Sequence, residues 1–185
     1  MDIQLLPDEL LSSRLVLRRH KLEHAPALFK CIDHDRERLR EFLPWVDATR
    51  TVLDVAVYIT ITLDRWEKGE MFDYSVFLRE DESFLGVMDV HEISWEERRC
   101  EIGFWVLGEQ EGKGYISEAL GVLEQALFKI GLNRLEIRCS SNNEKSAGVP
   151  RRNGYTLEKT LNLHTLEQGS FQDTLVFAKI KPKKP

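Results

Sequence analysis

The sequence predicts a single mixed α/β domain, residues 1–185, built on a mostly antiparallel central sheet flanked by helices. Three observations carry that prediction. Alternating apolar runs between residues 72 and 106 are separated only by short polar turns, the pattern of an antiparallel meander. The last of those runs passes through a glycine-bearing turn into apolar residues at helical spacing, Ile116, Leu120, Leu123, Leu127 and Ile130. The chain has 185 residues, 42% of them apolar and 31% charged, enough for one substantial core with no linker, repeat or low-complexity segment to divide it.

Taken in order, Leu15 and Leu17, flanked by Arg14, Arg18 and Arg19, form a first strand. Lys21 to Pro26 opens a helix, with the proline tolerated in the first turn and Leu28, Phe29 and Ile32 as the buried stripe. A second helical piece runs from about Asp35 to Phe42 and stops before Pro44. A longer helix over Val52–Lys68 carries Val55, Ile59, Leu63 and Trp66 on one side and ends at Gly69. Phe72–Arg79, Phe84–Ile93 and Ile102–Val106 are the meander strands. Beyond the central helix, Lys113 to Gly131, come a short strand at Leu135–Cys139 and a short basic helix. In the next strand Tyr155, Leu157, Lys159, Leu161 and Leu163 share one face, and Gln168-Gly169 turns it back into Phe171–Ile180.

Composition excludes several classes. A net charge of -5 argues against a general nucleic-acid surface. Arg151-Arg152 and the tail Lys181–Pro185 are the basic clusters, and both read as solvated. Cys31, Cys100 and Cys139 are odd in number and far apart, so neither a disulfide framework nor a metal site is expected. No stretch approaches a membrane span, and no secretory leader is evident, which points to a cytoplasmic protein.

Cys100 to Leu120 carries the functional signal. A strand, a Gly112-Lys113-Gly114 turn and a helix place unpaired backbone N–H groups and the positive end of the helix dipole at one spot. Glycines let a phosphate approach the chain closely. They also serve simply to turn it. A Walker loop is excluded because Lys113 precedes the last glycine, and a dinucleotide fingerprint because residue 117 is Ser117.

Together with Glu101-Ile102-Gly103-Phe104-Trp105, Asn142-Asn143-Glu144-Lys145-Ser146 and Asn153-Gly154-Tyr155, the chain resembles the GNAT superfamily of acetyl-CoA-dependent N-acetyltransferases, and within it the RimJ/RimL-type group. The resemblance implies a sheet splayed in the middle, with acetyl-CoA as co-substrate in the gap and no metal. It implies that the backbone of Trp105, Val106 and Leu107 holds the pantetheine arm and that the amides of Gln110, Gly112, Lys113, Gly114, Tyr115, Ile116 and Ser117 hold the pyrophosphate. Where the superfamily prefers Arg or Gln this chain has Glu109, and where many members place a catalytic tyrosine it has Pro150. Ser146, which on spacing alone could equally cap a helix start, is then the acid for the departing thiolate and, with Asn143, a cofactor contact, and Glu101 is the general base, with Asp89, His91 and Glu92 as rivals on the adjacent strand. Phe42, Trp45 and Glu92 would wall the acceptor side, and Trp66, Tyr74 and Trp105 are further aromatic candidates. The acceptor is an amine, either a protein N-terminus as in ribosomal-protein acetylation or a small antibiotic or polyamine. A homodimer is expected from the resemblance, and a non-catalytic acyl-CoA sensor is the alternative from another class.

Overall fold

Phe72, Tyr74 and Val76, then Met88, Val90 and Ile102, present apolar side chains to one side of the chain's central strands, and a sheet forms around them. The structure, a computed structural model, describes residues 3–182. Eight strands make one sheet: β1 (Glu9–Leu11), β2 (Leu15–Arg19), β3 (Phe72–Leu78), β4 (Phe84–Ser94), β5 (Arg99–Val106), β6 (Arg134–Ser140), β7 (Thr156–Glu167) and β8 (Ser170–Ile180). Their order is β1-β2-β3-β4-β5-β6-β8-β7, and every pair is antiparallel except β5 with β6. The helices are α1 (Ala25–His34), α2 (Arg36–Leu39), α3 (Val52–Glu67), α4 (Tyr115–Lys129) and α5 (Glu144–Arg152).

Helices cover both faces. Ile116, Leu120, Leu123 and Leu127 of α4 pack on Leu17, Phe72, Tyr74, Met88 and Ile102. On the opposite face Leu28 and Ile32 of α1 and Val55 and Ile59 of α3 pack on Val87, with Trp105 beside them. Thr51 and Asp54 form a capping box that starts α3, each side chain satisfying the other's backbone N–H.

The one parallel pairing positions the site. β5 and β6 are joined only from Arg99 to Glu101 and from Arg134 to Glu136. Past those residues β5 continues along β4 to Val106 while β6 continues along β8 to Ser140. The two strands therefore splay and leave a gap in the middle of the sheet.

Four local expectations are corrected. β1 precedes the first expected strand. The helix expected over residues 35–42 shrinks to α2, because the Arg36 guanidinium donates to the carbonyls of Val46 and Thr49 and folds the chain into a tight turn over Pro44–Asp47. α4 begins at Tyr115, since Gly114 takes a left-handed φ of 80° at its N-cap. The apolar row of β7 is largely in solvent: Leu157 is 45% and Leu163 66% exposed. β7 is an edge strand whose pairing slips between Leu157 and Lys159 and between Leu161 and Thr165, so its alternation does not stay on one covered face. Of the basic tail, residues 183–185 lie outside the described residues.

Candidate active site

The turn into α4 is shaped by two left-handed glycines, Gly112 at φ 74° and Gly114 at φ 80°. A side chain at Gly112 would meet no atom within 4 Å, so open space lies above it. The first helical backbone bond is Glu118 N–H to Gly114 C=O. Among the described residues, none of the N–H groups of residues 112–117 donates to a protein acceptor. A row of free N–H groups at a helix N-terminus, under open space, fits a diphosphate. The cradle starts later than expected: Gln110 N–H is spent on Leu107 C=O and Glu111 N–H on Gly108 C=O. Glu109, the residue that would repel a phosphate, is not on the wall of the cavity that opens here. Glu111 is on that wall, and Arg38 and Lys145 bind its two oxygens.

From the cradle a cavity of about 1370 Å³ runs through the gap between β5 and β6 to the other face of the sheet. That exceeds the ~300–1,000 Å³ of a drug-sized site and leaves room for an extended ligand with a second molecule against it. Trp105, Val106, Gln110, Gly112, Gly114, Tyr115, Ile116, Ser117, Asn143 and Ser146 all line it. Asn143 caps α5, its Oδ1 accepting Ser146 N–H at 2.9 Å. The Ser146 hydroxyl is thereby free of capping and lies beside the Cys139 thiol, whose pKa burial raises even though the hydroxyl's hydrogen bond lowers it.

The far end of the cavity is acidic and lies on the face covered by α3. His91 and Glu101 are cross-strand partners, as are Asp89 and Gly103, and Asp73 and Asp89. His91 Nδ1 donates to Asp89 Oδ1 at 2.6 Å, and its Nε2 lies 3.6 Å from Glu101 Oε1. Burial works against charging this imidazole, but the two carboxylates outweigh it and raise its pKa to about 10. The two carboxylates thus favour the imidazolium form, which has no lone pair to offer as a base. Arg138 of β6 reaches Glu101 at 3.1 Å. Behind them lies a buried layer: Ser75 with His20 at 2.8 Å, His20 with Asp73 at 3.2 Å, and Asp73 with the Tyr58 hydroxyl. Phe42 and Trp45 stand at the rim, with the Trp45 and Trp105 rings 6.3 Å apart.

The expected residues mostly converge on this cavity, Glu92 included. Four are not on its wall. Leu107 is buried and donates its N–H to Leu85 C=O. The Lys113 amine turns to Gln110 at 2.9 Å. Trp66 and Tyr74 are 2% and 0% exposed and belong to the core, the Tyr74 hydroxyl being spent on Pro7 C=O. Sequence reasoning missed Arg38, Tyr58, Arg65, Arg138 and Glu167, all on the wall. Glu167 accepts from Ser140 at 2.9 Å. Only Arg138 left a trace, as a charge two residues from Glu136 and so on the same face of a strand. Among the described residues no cluster of three or more His, Cys, Asp or Glu could hold a metal, and no helix is long and apolar enough to cross a membrane.

Residues 14–156 match the sequence profile of the Acetyltransferase (GNAT) domain. The Ribosomal-protein-serine acetyltransferase of Escherichia coli (strain K12) is 27% identical over 170 residues, covering 91% of this chain and 94% of the relative. Two solved structures share the fold. RimL, the Ribosomal L7/L12 alpha-N-protein acetyltransferase in complex with coenzyme A, superposes with a TM-score of 0.88 at 24% identity, covering 96% of this chain and 98% of that one. The Microcin C7 self immunity acetyltransferase MccE, in complex with acetyl-CoA and AMP, gives 0.89 at 21% identity, covering 97% and 100%.

Proposed function

The chain belongs to the GNAT acetyltransferase family, and on that premise we propose that its acceptor is the α-amine at the N-terminus of a protein. It is an acetyl-CoA-dependent N-acetyltransferase. The proposal concerns the acceptor and the residues that act on it. One observation carries it: a single cavity joins the free N–H groups of residues 112–117 to an acidic pocket on the far side of the sheet, rimmed by Phe42 and Trp45. A carboxylate-lined end reached through an aromatic rim suits a cationic chain end entering opposite the co-substrate. The name of the Escherichia coli relative supports a ribosomal-protein serine as the acceptor, and that of RimL a protein α-amine. In this reading the enzyme works in the cytoplasm, and a homodimer is its expected assembly.

The chemistry follows from the placement. The N–H groups at 112–117 hold the diphosphate, and the edges of β5 and β6 exposed by the splay take the pantetheine arm. The acidic end binds the ammonium and relieves it of a proton, because an ammonium has no lone pair with which to attack. Ser146, freed from capping by Asn143, donates to the departing sulfur. Glu101 contributes to the acidic end, bound to His91 and Arg138.

The test is transfer itself. Acetyl-CoA is offered with a peptide bearing a free N-terminal serine, its N-acetylated copy, a polyamine and an aminoglycoside. CoA release is followed, and mass spectrometry locates the new acetyl group. Acetylation of the serine α-amine alone supports the proposal. Turnover confined to a small amine, or co-substrate binding without turnover on any acceptor, overturns it.

A further inference from the structure

Asp89 and Glu101 line the acidic end of the cavity, Asp73 lies buried behind them, and the three differ in what they already hold. Asp73 of β3 is 1% exposed, with the Tyr58 hydroxyl of α3 on one oxygen and His20 of the neighbouring chain segment beside the other. Glu101 of β5 is met by two cations, His91 of β4 and Arg138 of β6. Arg65, the cation of α3 on this wall, is turned to Glu70 at 3.8 Å. Asp89 of β4 accepts from His91 through Oδ1, and its Oδ2 receives no hydrogen bond among the described residues.

That free oxygen has a place made for it. Asp89 pairs with Gly103 across β4 and β5, and a Cβ on Gly103 would lie 2.5 Å from Asp89 Oδ2. The carboxylate fills the space where any other residue at 103 would put its side chain, directly over the strand that borders the gap. We propose that Asp89, positioned by His91 and by the absent side chain of Gly103, is the carboxylate that receives the acceptor ammonium and takes its proton. This rests on the N-terminal-amine acceptor proposed above.

The step balances. The ammonium gives one proton to Asp89 Oδ2, leaving a neutral carboxyl and a nitrogen lone pair. That pair forms the C–N bond to the thioester carbonyl, and the C–S bond breaks with its electrons on sulfur. The second proton shed by nitrogen reaches the sulfur by way of Ser146. Burial, with the charge of Asp73 beside it, raises the Asp89 carboxyl above its ordinary range although the His91 bond pulls the other way. That moves it toward the ~7.7–8.0 of an α-ammonium, which eases the transfer. Glu101 is then a positioning residue that keeps His91 charged.

The experiment titrates CoA-loaded protein with serine amide, and separately records kcat/KM against pH with the serine peptide. Asp89→Asn is expected to weaken serine amide about 10- to 100-fold, the range for losing a charge-assisted bond, with CoA affinity unchanged. It also moves the acid limb of the pH profile up to the ~7.7–8.0 of the free amine, which must then arrive unprotonated. Glu101→Gln leaves the limb where the wild type has it, and Gly103→Ala, which displaces the carboxylate without deleting it, raises KM for the peptide. A raised acid limb in Glu101→Gln but not in Asp89→Asn overturns the proposal. If serine amide fails to bind the wild type while CoA still does, the N-terminal-amine acceptor falls. Asp89→Asn is then tested with whichever amine turns over: an unmoved acid limb sinks the assignment, and a raised one sustains it.

Discussion

The side-chain oxygen of Asn143 accepts the backbone N–H of Ser146 at 2.9 Å, and this bond separates the two residues by role. Asn143 terminates the helix, so Ser146 need not. Asn143→Ala should cost about 1 kcal/mol of stability, the usual value of an N-cap, measured by urea denaturation. A change below a few tenths would mean that α5 is held by packing alone.

Ser146→Ala separates chemistry from binding. Removing a proton donor to the leaving group costs on the order of 10²-fold in turnover. The Ser146 N–H keeps its bond to Asn143, so acetyl-CoA affinity measured by calorimetry should change by less than about 2-fold, well under one neutral hydrogen bond. Equal losses in kcat and affinity would make Ser146 a binding residue.

Gly112 is needed for its backbone and for its emptiness. At φ 74° a side chain is strained by about 1–2 kcal/mol. Gly112→Asp adds a carboxylate to the space meant for a diphosphate. Its affinity for acetyl-CoA should fall at least about 10-fold, roughly one lost charge-assisted hydrogen bond. Unchanged affinity by calorimetry would remove the cradle from the mechanism.

Glu118, in the first turn of α4, accepts from Ser12, Ser13 and both the backbone and the guanidinium of Arg14. Burial opposes its ionisation, yet these donors prevail and pull its pKa down to about 2. A depressed carboxylate stabilises the fold above its unfolded value near 4.5, and that contribution is lost as pH falls toward 2. Because Arg14 is 48% exposed, the contribution is discounted for solvent screening to about 1–3 kcal/mol. Glu118→Gln should therefore lower Tm by several degrees at pH 7 and converge with the wild type near pH 2.

His91 has the opposite sign. A raised imidazole stabilises fully below its unfolded value of 6.5, and the contribution disappears as pH rises through about 10. Nitrogen NMR at pH 8 should show the imidazolium, and titration of this residue near pH 6.5 would dissolve the Asp89–His91–Glu101 arrangement.

Much of the molecule is legible along the chain because the signals are local. Ile116, Leu120, Leu123 and Leu127 repeat at the spacing of a helix that buries them, and Gly112 and Gly114 mark a backbone that only glycine takes easily. Asn143 and Ser146 stand three residues apart at a helix start. Those patterns were enough to identify the turn, the helices, the meander and the family. They also misled where a pattern lacked a partner: the apolar alternation of β7 ends in solvent at Leu163, and Trp66 and Tyr74 are core rather than cavity wall.

By itself, the sequence determined where backbone N–H groups would be left free, since helix starts and glycines act within a few residues of themselves. Only the tertiary structure decided which charges meet. Arg138 reaches Glu101 because β5 and β6 run parallel for three residues and then part, and Asp89 lies over Gly103 because of the register between β4 and β5. Register and strand direction are settled by packing between segments distant along the chain, so the acidic end of the cavity exists only once the sheet has closed around it.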